Sequence, residues 1–204
     1  MTILALDTTS ELGGVAVRRD GKNVTEISIQ APDGFAHVLF PAIERTLKEA
    51  HLRLEDIDCF AAASGPGSFT GIRVGLSAAK GLAEAMGKPA VGVSNLKALA
   101  TFGTGKLRAT ILDARRNQAY VAVYDANLRV VIPEAVVNLS EWLASLPEDH
   151  YEFIGCDGST FQPYRNLAAA VAQVAEKSEW SDTALLDANY VRRSDAELFW
   201  KDDR

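Results

Sequence analysis

The chain has 204 residues, 48% hydrophobic and 24% charged, with a formal net charge of −6. That is long enough to bury one large core or two small ones, and the composition is that of an ordinary globular protein. The acidic balance argues against the chain as the main clamp on nucleic acid, which needs clustered cations. No stretch reaches membrane-spanning length, and Met1 runs directly into an apolar strand without a basic leader, so no membrane association and a cytoplasmic location are expected.

Thr2 to Asp7 reads as a compact apolar strand. Gly13 to Arg18 and Lys22 to Gln30 follow as strands rich in β-branched residues, with the hairpin signal Asp20-Gly21 between them. Pro32-Asp33-Gly34 breaks the pattern. Ala36 to Ala50 is helical, with Leu39, Ile43, Leu47 and Ala50 forming one stripe; Pro41 lies near its beginning, so the helix starts late or kinks there. Ile57 to Ala63 is the next strand. It leads into Ser64-Gly65-Pro66-Gly67-Ser68-Phe69-Thr70-Gly71-Ile72-Arg73 and a helical pattern from Val74 to Met86, stopped by Gly87-Lys88-Pro89. Thr70 is the predicted N-cap of that helix. Ala90 to Val93 is a strand, and Ser94 caps a short helix through Ala100.

Gly103-Thr104-Gly105-Lys106 is the predicted linker between domains at 1–103 and 104–204. Beyond it, Ala109 to Asp113, Ala119 to Asp125 and Phe153 to Cys156 read as strands. Ser140 is expected to cap a helix through Leu146, and Leu167 to Lys177 is an alanine-rich helix. An internal repeat supports two related α/β lobes. Leu6-Asp7 precedes Val15-Ala16-Val17, and Leu112-Asp113 precedes Val121-Ala122-Val123 at the same spacing.

Several groups are candidates for chemistry. Asp7-Thr8-Thr9-Ser10 ends a strand beside Gly13-Gly14, which suits either a magnesium–phosphate contact or a self-satisfied turn. Asp157-Gly158-Ser159-Thr160 offers the same two readings, and Asp113 beside Arg115-Arg116 reads as an acid with an arginine pair or as a hairpin ion pair. His37 is a candidate base or ligand, but no nucleophile elbow accompanies it, and Ser64 and Ser68 do not form one. Cys59 and Cys156 read as buried free thiols of a reducing compartment. His37, His51 and His150 have no cysteine partners nearby, so no built-in metal site is expected. Gly71, Gly75 and Ala79 recur four apart, with Ala78 and Ala83 nearby. Glycine within a helix costs about 1 kcal/mol relative to alanine, and a tight helix-on-helix subunit contact would explain it.

Ile3-Leu4-Ala5-Leu6-Asp7-Thr8-Thr9-Ser10, the run from Ser64 to Gly75, Ala79-Lys80-Gly81-Leu82-Ala83 and Asp113-Ala114-Arg115 together resemble the bacterial TsaB (YeaZ) family. The likeness is dense over the first 125 residues and resumes at Asp157-Gly158 and Asn189-Tyr190-Val191-Arg192-Arg193. It implies an α/β, two-lobed actin-like or Hsp70-like (ribonuclease H-like) fold with mixed sheets. It further implies a non-catalytic scaffold for the paralogue TsaD, joined by the ATPase TsaE, in forming threonylcarbamoyladenosine at adenosine 37 of tRNAs that read codons beginning with A. Catalytic relatives carry a His-x-x-x-His metal motif; the aligned positions here are Asn95 and Leu99, which cannot form a paired imidazole site. Thr9 stands where actin-like ATPases favour glycine, and Val38 stands where the family has serine.

The resemblance places the partner surface on the helices near 36–50 and 70–86, through His37, Pro41, Arg45, Gly71, Arg73, Gly75, Ala78, Ala79 and Leu82. Without TsaD the same surface supports a homodimer. Nucleotide contact is assigned to Asp7, Thr8, Thr9, Ser10 and Asp113. No cofactor is expected on the chain alone; ATP and magnesium belong to the assembled complex, and tRNA is reached only through it. The competing readings are an autonomous ATPase or peptidase-like enzyme, and a direct tRNA-binding module using Arg115, Arg116 or Arg192.

Overall fold

A computed structural model of the protein describes residues 1–155, 166–180, 186–189 and 191. Strands β1 (Thr2–Asp7), β2 (Leu12–Arg19), β3 (Lys22–Gln30), β4 (Cys59–Gly65) and β5 (Ala90–Ser94) form a first sheet in the order β3-β2-β1-β4-β5. Strands β6 (Leu107–Asp113), β7 (Gln118–Asp125), β8 (Val130–Asn138) and β9 (Tyr151–Gly155) form a second in the order β8-β7-β6-β9. The helices are α1 (Leu39–Glu49), α2 (Phe69–Met86), α3 (Asn95–Ala100), α4 (Leu139–Ser145) and α5 (Ala168–Ala175).

Each sheet is an antiparallel meander whose first strand also pairs in parallel with a later one, β1 with β4 and β6 with β9. β1 and β4 are buried along their whole length, as expected of central parallel strands covered on both faces. One face packs Leu4, Leu6, Val15, Val17 and Phe60 against α1 and α2. The other packs Ile3, Ala5, Ala61 and Val93 against Val171 and Ala175 of α5. α5 comes from the second half of the sequence yet covers the first sheet, so packing crosses the boundary predicted at residue 103. Leu96 and Ala100 of α3 meet Ala122 and Tyr124 of the second sheet.

The sequence repeat is a repeat of topology, with one slip. Val15 pairs with Leu6 in the first copy, whereas Val121 pairs with Ile111, not Leu112, in the second. A one-residue slip turns alternate side chains to the opposite face. Leu6 therefore joins the core beneath α1 and α2 with Val15 and Val17, while Leu112 packs beside Ala122, away from Val121.

Local expectations need three corrections, at two helix caps and one strand, while the late start expected of α1 is observed. The N-cap of α2 is Ser68, not Thr70: the Gly71 N–H donates to Ser68 Oγ at 3.2 Å, and Thr70 lies inside the first turn. The cap of α4 is Asn138, not Ser140, its Oδ1 accepting from the N–H groups of Ser140 and Glu141 at 3.0 and 3.3 Å. Strand β8 was unanticipated, because Pro133 interrupts its sequence; an edge strand tolerates the missing donor. α1 starts late, at Leu39, which leaves Pro41 in the first turn where no N–H is required. Cys59 is a buried free thiol, pushed up to about 12 by burial and by Asp58; Cys156 lies outside the described residues.

Two glycines of α2 separate a required glycine from a replaceable one. A Cβ on Gly71 would overlap the Thr8 carbonyl oxygen, whereas one on Gly81 would meet nothing within 4 Å. Gly81→Ala should raise stability in urea unfolding by about 0.5–1 kcal/mol. Gly71→Ala should lower it by about 1–3 kcal/mol. Equal effects of the two changes would contradict this packing.

Candidate functional site

The loop after β1, the loop from Pro66 to Ser68, and the starts of α3 and α5 converge at one end of the first sheet. The β6–β7 turn of the second sheet faces them across a cleft of about 470 Å³, bordered among others by Ser10, Phe35, Thr70, Asp113 and Tyr120.

At its floor lies a buried hydrogen-bonded chain. The Asn95 amide Nδ2 donates to Thr9 Oγ1 at 2.7 Å and to the Pro66 carbonyl at 3.0 Å, and Asn95 Oδ1 accepts from the Gly65 N–H at 3.2 Å. Thr9 Oγ1 in turn donates to Asp7 Oδ1 at 2.7 Å, which also accepts the Thr9 N–H at 3.0 Å. Asp7 Oδ2 accepts the Leu167 N–H at 2.7 Å, at the start of α5. Asp7 and Asn95 are 1% and 2% exposed. Burial outweighs these three donors and holds the Asp7 carboxyl above its ordinary value.

Thr8 is committed as well. Its hydroxyl donates to the Gly71 carbonyl at 2.7 Å, and a Cβ on Gly75 would lie 2.5 Å from that hydroxyl oxygen. Ser10 Oγ donates to the Leu12 carbonyl at 2.8 Å. Donors therefore engage both Asp7 oxygens, and the hydroxyl protons of Thr8, Thr9 and Ser10 all have internal acceptors. Of the two readings of Asp7–Ser10, this geometry is that of the self-satisfied turn.

Asp113 differs from Asp7 because of the register slip. It leaves β6 on the face of Ala109 and Ile111 and is exposed. Its Oδ1 accepts the Arg115 N–H at 2.8 Å, and its Oδ2 lies 3.9 Å from Arg115 Nε. Arg115, Arg116 and Asn117 hold φ of 63°, 54° and 59° in succession, a left-handed turn at the cleft mouth. Asp113 is thus a turn acid, set apart from the Asp7 chain.

The residues expected on the partner surface divide by burial. His37, Pro41, Arg45 and Arg73 are exposed and Leu82 is half-buried, but Gly71, Gly75, Ala78 and Ala79 are buried. The small-residue stripe faces inward: Gly71 and Gly75 admit Thr8, and Ala78 and Ala79 join the core. The need for glycine is met inside the chain, which corrects the helix-on-helix explanation. Two exposed residues escaped the sequence reading, Phe40 and Phe69, at 51% and 46% exposure. The Arg73 guanidinium lies 3.7 Å from the Phe69 ring centroid, a cation–π contact. Apolar residues beside a helix start look like core in a sequence, so only the fold distinguishes these two.

Leu99 is fully buried between the first sheet and α5. Among the described residues, no group of three or more His, Cys, Asp or Glu side chains is arranged to hold a metal ion, and no helix is long and apolar enough to cross a membrane. The segment Asp157-Gly158-Ser159-Thr160 and the pair Arg192-Arg193 lie outside the described residues.

Residues 30–189 match the family model described as TsaD, tRNA N6-adenosine threonylcarbamoyltransferase. The chain is 30% identical to the tRNA threonylcarbamoyladenosine biosynthesis protein TsaB of Bacillus subtilis (strain 168), over 98% of both chains. It is 37% identical to the protein of that name from Haemophilus influenzae, covering 94% of this chain and 83% of the relative. Among solved structures it is similar to YeaZ from Pseudomonas aeruginosa, with a TM-score of 0.79 and 25% identity over 93% of this chain and 99% of that one.

Asn95→Ala removes three buried hydrogen bonds and should lower stability by about 2–4 kcal/mol in chemical denaturation; a neutral effect would contradict the chain. The raised Asp7 value carries a pH signature. The native state holds that proton more tightly than the unfolded chain, whose ordinary value is 3.8. The stability that Asp7 contributes is thus full below about pH 4 and declines as pH rises through the raised native value. The stability difference between the protein and Asp7→Asn, measured in denaturant across acid to neutral pH, should fall in that direction; a flat or rising difference would contradict it.

Proposed function

The chain belongs to the TsaB family of tRNA threonylcarbamoyladenosine biosynthesis proteins, and we propose that it acts there as a non-catalytic scaffold gripping the transferase TsaD, with the ATPase TsaE joining the assembly. The observation that carries this reading is Asn95. Its position is where the resemblance puts one imidazole of the catalytic metal pair, and its amide is spent on Gly65, Pro66 and Thr9. The partner position, Leu99, is sealed in the core. Neither residue supplies an imidazole to such a pair.

TsaD meets the outer face of α1 and the start of α2, through Phe40, Pro41, Arg45, Phe69 and Arg73. Exposed aromatic rings beside arginine are the residue types that dominate binding energy at protein interfaces. Gly71, Gly75, Ala78 and Ala79 support this face from beneath. Alone, the chain uses the same face for a homodimer. It holds no nucleotide of its own; ATP and magnesium act in the assembled complex, tRNA is reached only through that complex, and the site of action is the cytoplasm.

Arg73→Glu and Phe40→Asp, each on the surface, should weaken TsaD association at least tenfold by calorimetry while leaving the thermal melt of the isolated chain nearly unchanged. Gly75→Arg is a poor probe, since its side chain would strike Thr8. Unchanged TsaD affinity in both surface variants would overturn the placement of the interface. ATP turnover by the isolated chain that is lost in Asp7→Ala would instead favour an autonomous enzyme.

A further inference from the structure

We propose that Glu134 and Arg108 clasp the two lobes into a rigid body whose cleft does not open and close, with Glu152 bracing the linker that Arg108 spans. The clasp belongs to this chain alone and does not depend on which partner the chain serves.

Glu134 sits in β8 at a bulge. Val121 pairs with Ala135 and Val123 with Ile132, so β8 carries one residue more than β7 across that interval. Bulges re-aim side chains. Here the Glu134 carboxylate reaches the first lobe: Oε1 accepts from the Ser94 hydroxyl and from Tyr124 OH, the latter at 2.8 Å. Ser94 ends β5 and caps α3. Oε2 accepts from Asn189 Nδ2 at 2.7 Å, and the Asn189 N–H donates to the Ser64 carbonyl of β4 at 2.8 Å. A single carboxylate thus joins β5, β7 and, through Asn189, β4. Hydrogen bonds to an ionised acceptor are roughly twice as strong as neutral ones, and burial together with Glu134 raises the Tyr124 phenol well above its ordinary value, so it stays a donor.

Glu152 works on β9, at the opposite edge of that sheet. Its Oε2 accepts the N–H groups of Thr104 and Gly105 at 2.7 and 2.5 Å. Arg108 completes the hold, Nε donating to the Gly105 carbonyl and a terminal nitrogen to the Ala100 carbonyl, both at 3.1 Å. Gly103 and Gly105 read as part of a linker in the sequence. In the fold the segment is pinned, and a Cβ on Gly103 would overlap the Ile154 side chain. The contacts of Glu134 with Ser94 and of Arg108 with Ala100 cross between the lobes, so a rotation that spares one strains the other.

Single-molecule FRET between dyes at Ser77→Cys on α2 and Glu141→Cys on α4, both exposed positions, reads the lobe separation directly. Cys156→Ser is included to limit labelling to these sites. The otherwise native chain should give one narrow distribution. Glu134→Ala combined with Arg108→Ala should at least double its width. Asn189→Ala removes one of the donors that link Glu134 to the first lobe, and should broaden the distribution less; it serves if the double variant fails to fold. A broad distribution in the chain with both clasps intact overturns the proposal. So does an unchanged width in the folded double variant or, where that variant does not fold, in Asn189→Ala with Arg108→Lys.

Discussion

The buried relay from Asn95 through Thr9 to Asp7 is the interaction on which the rest of the fold depends. It brings together four pieces of backbone that share no secondary structure: the loop after β1, the glycine loop after β4, and the first turns of α3 and α5. Buried polar groups are tolerated only when they are paired, and among the described residues no buried side-chain nitrogen or oxygen lacks a partner. The cost of burying the Asp7 carboxyl is only partly offset by three donors, two from Thr9 and one from Leu167. The glycines follow from the same requirement. Thr8 can reach the Gly71 carbonyl only because neither Gly71 nor Gly75 places a Cβ between α2 and the loop.

The same relay shapes the cleft that stands above it. The end of the first sheet is a natural place to gather loops around a ligand. Here side chains of the protein complete that junction themselves. The Asn95 amide and the Leu99 side chain are both taken up in holding the lobe together. Away from the junction, Phe40, Phe69 and Arg73 stand exposed on the outside of α1 and α2.

Much of this was legible in the sequence where the signal was local. The apolar runs of β1 and β4, the Asp20-Gly21 hairpin, the Ser94 cap and the duplicated strand-aspartate unit all read correctly. The caps at Ser68 and Asn138 were misplaced by two residues, because each lies next to a second residue that can cap. The small-residue stripe was visible, but its partner Thr8 is far away in sequence and near only in the fold. Asn95 was visible as a substitution and not as a clamp, since its three partners lie 29, 30 and 86 residues away. The repeat suggested that Asp7 and Asp113 are equivalent; the register slip that separates them leaves the spacing of the repeated residues untouched.

The most direct test of this account is the side-chain amide of Asn95, followed by nuclear magnetic resonance with assigned Asn resonances while zinc ions, and separately magnesium-ATP, are titrated into the isolated chain. Its two amide protons should exchange slowly with water and keep their chemical shifts throughout, as expected of a group held by Thr9 and Pro66. Rapid exchange, or a saturable shift with either ligand, would show that the amide is not committed to the fold and that the junction is a working site.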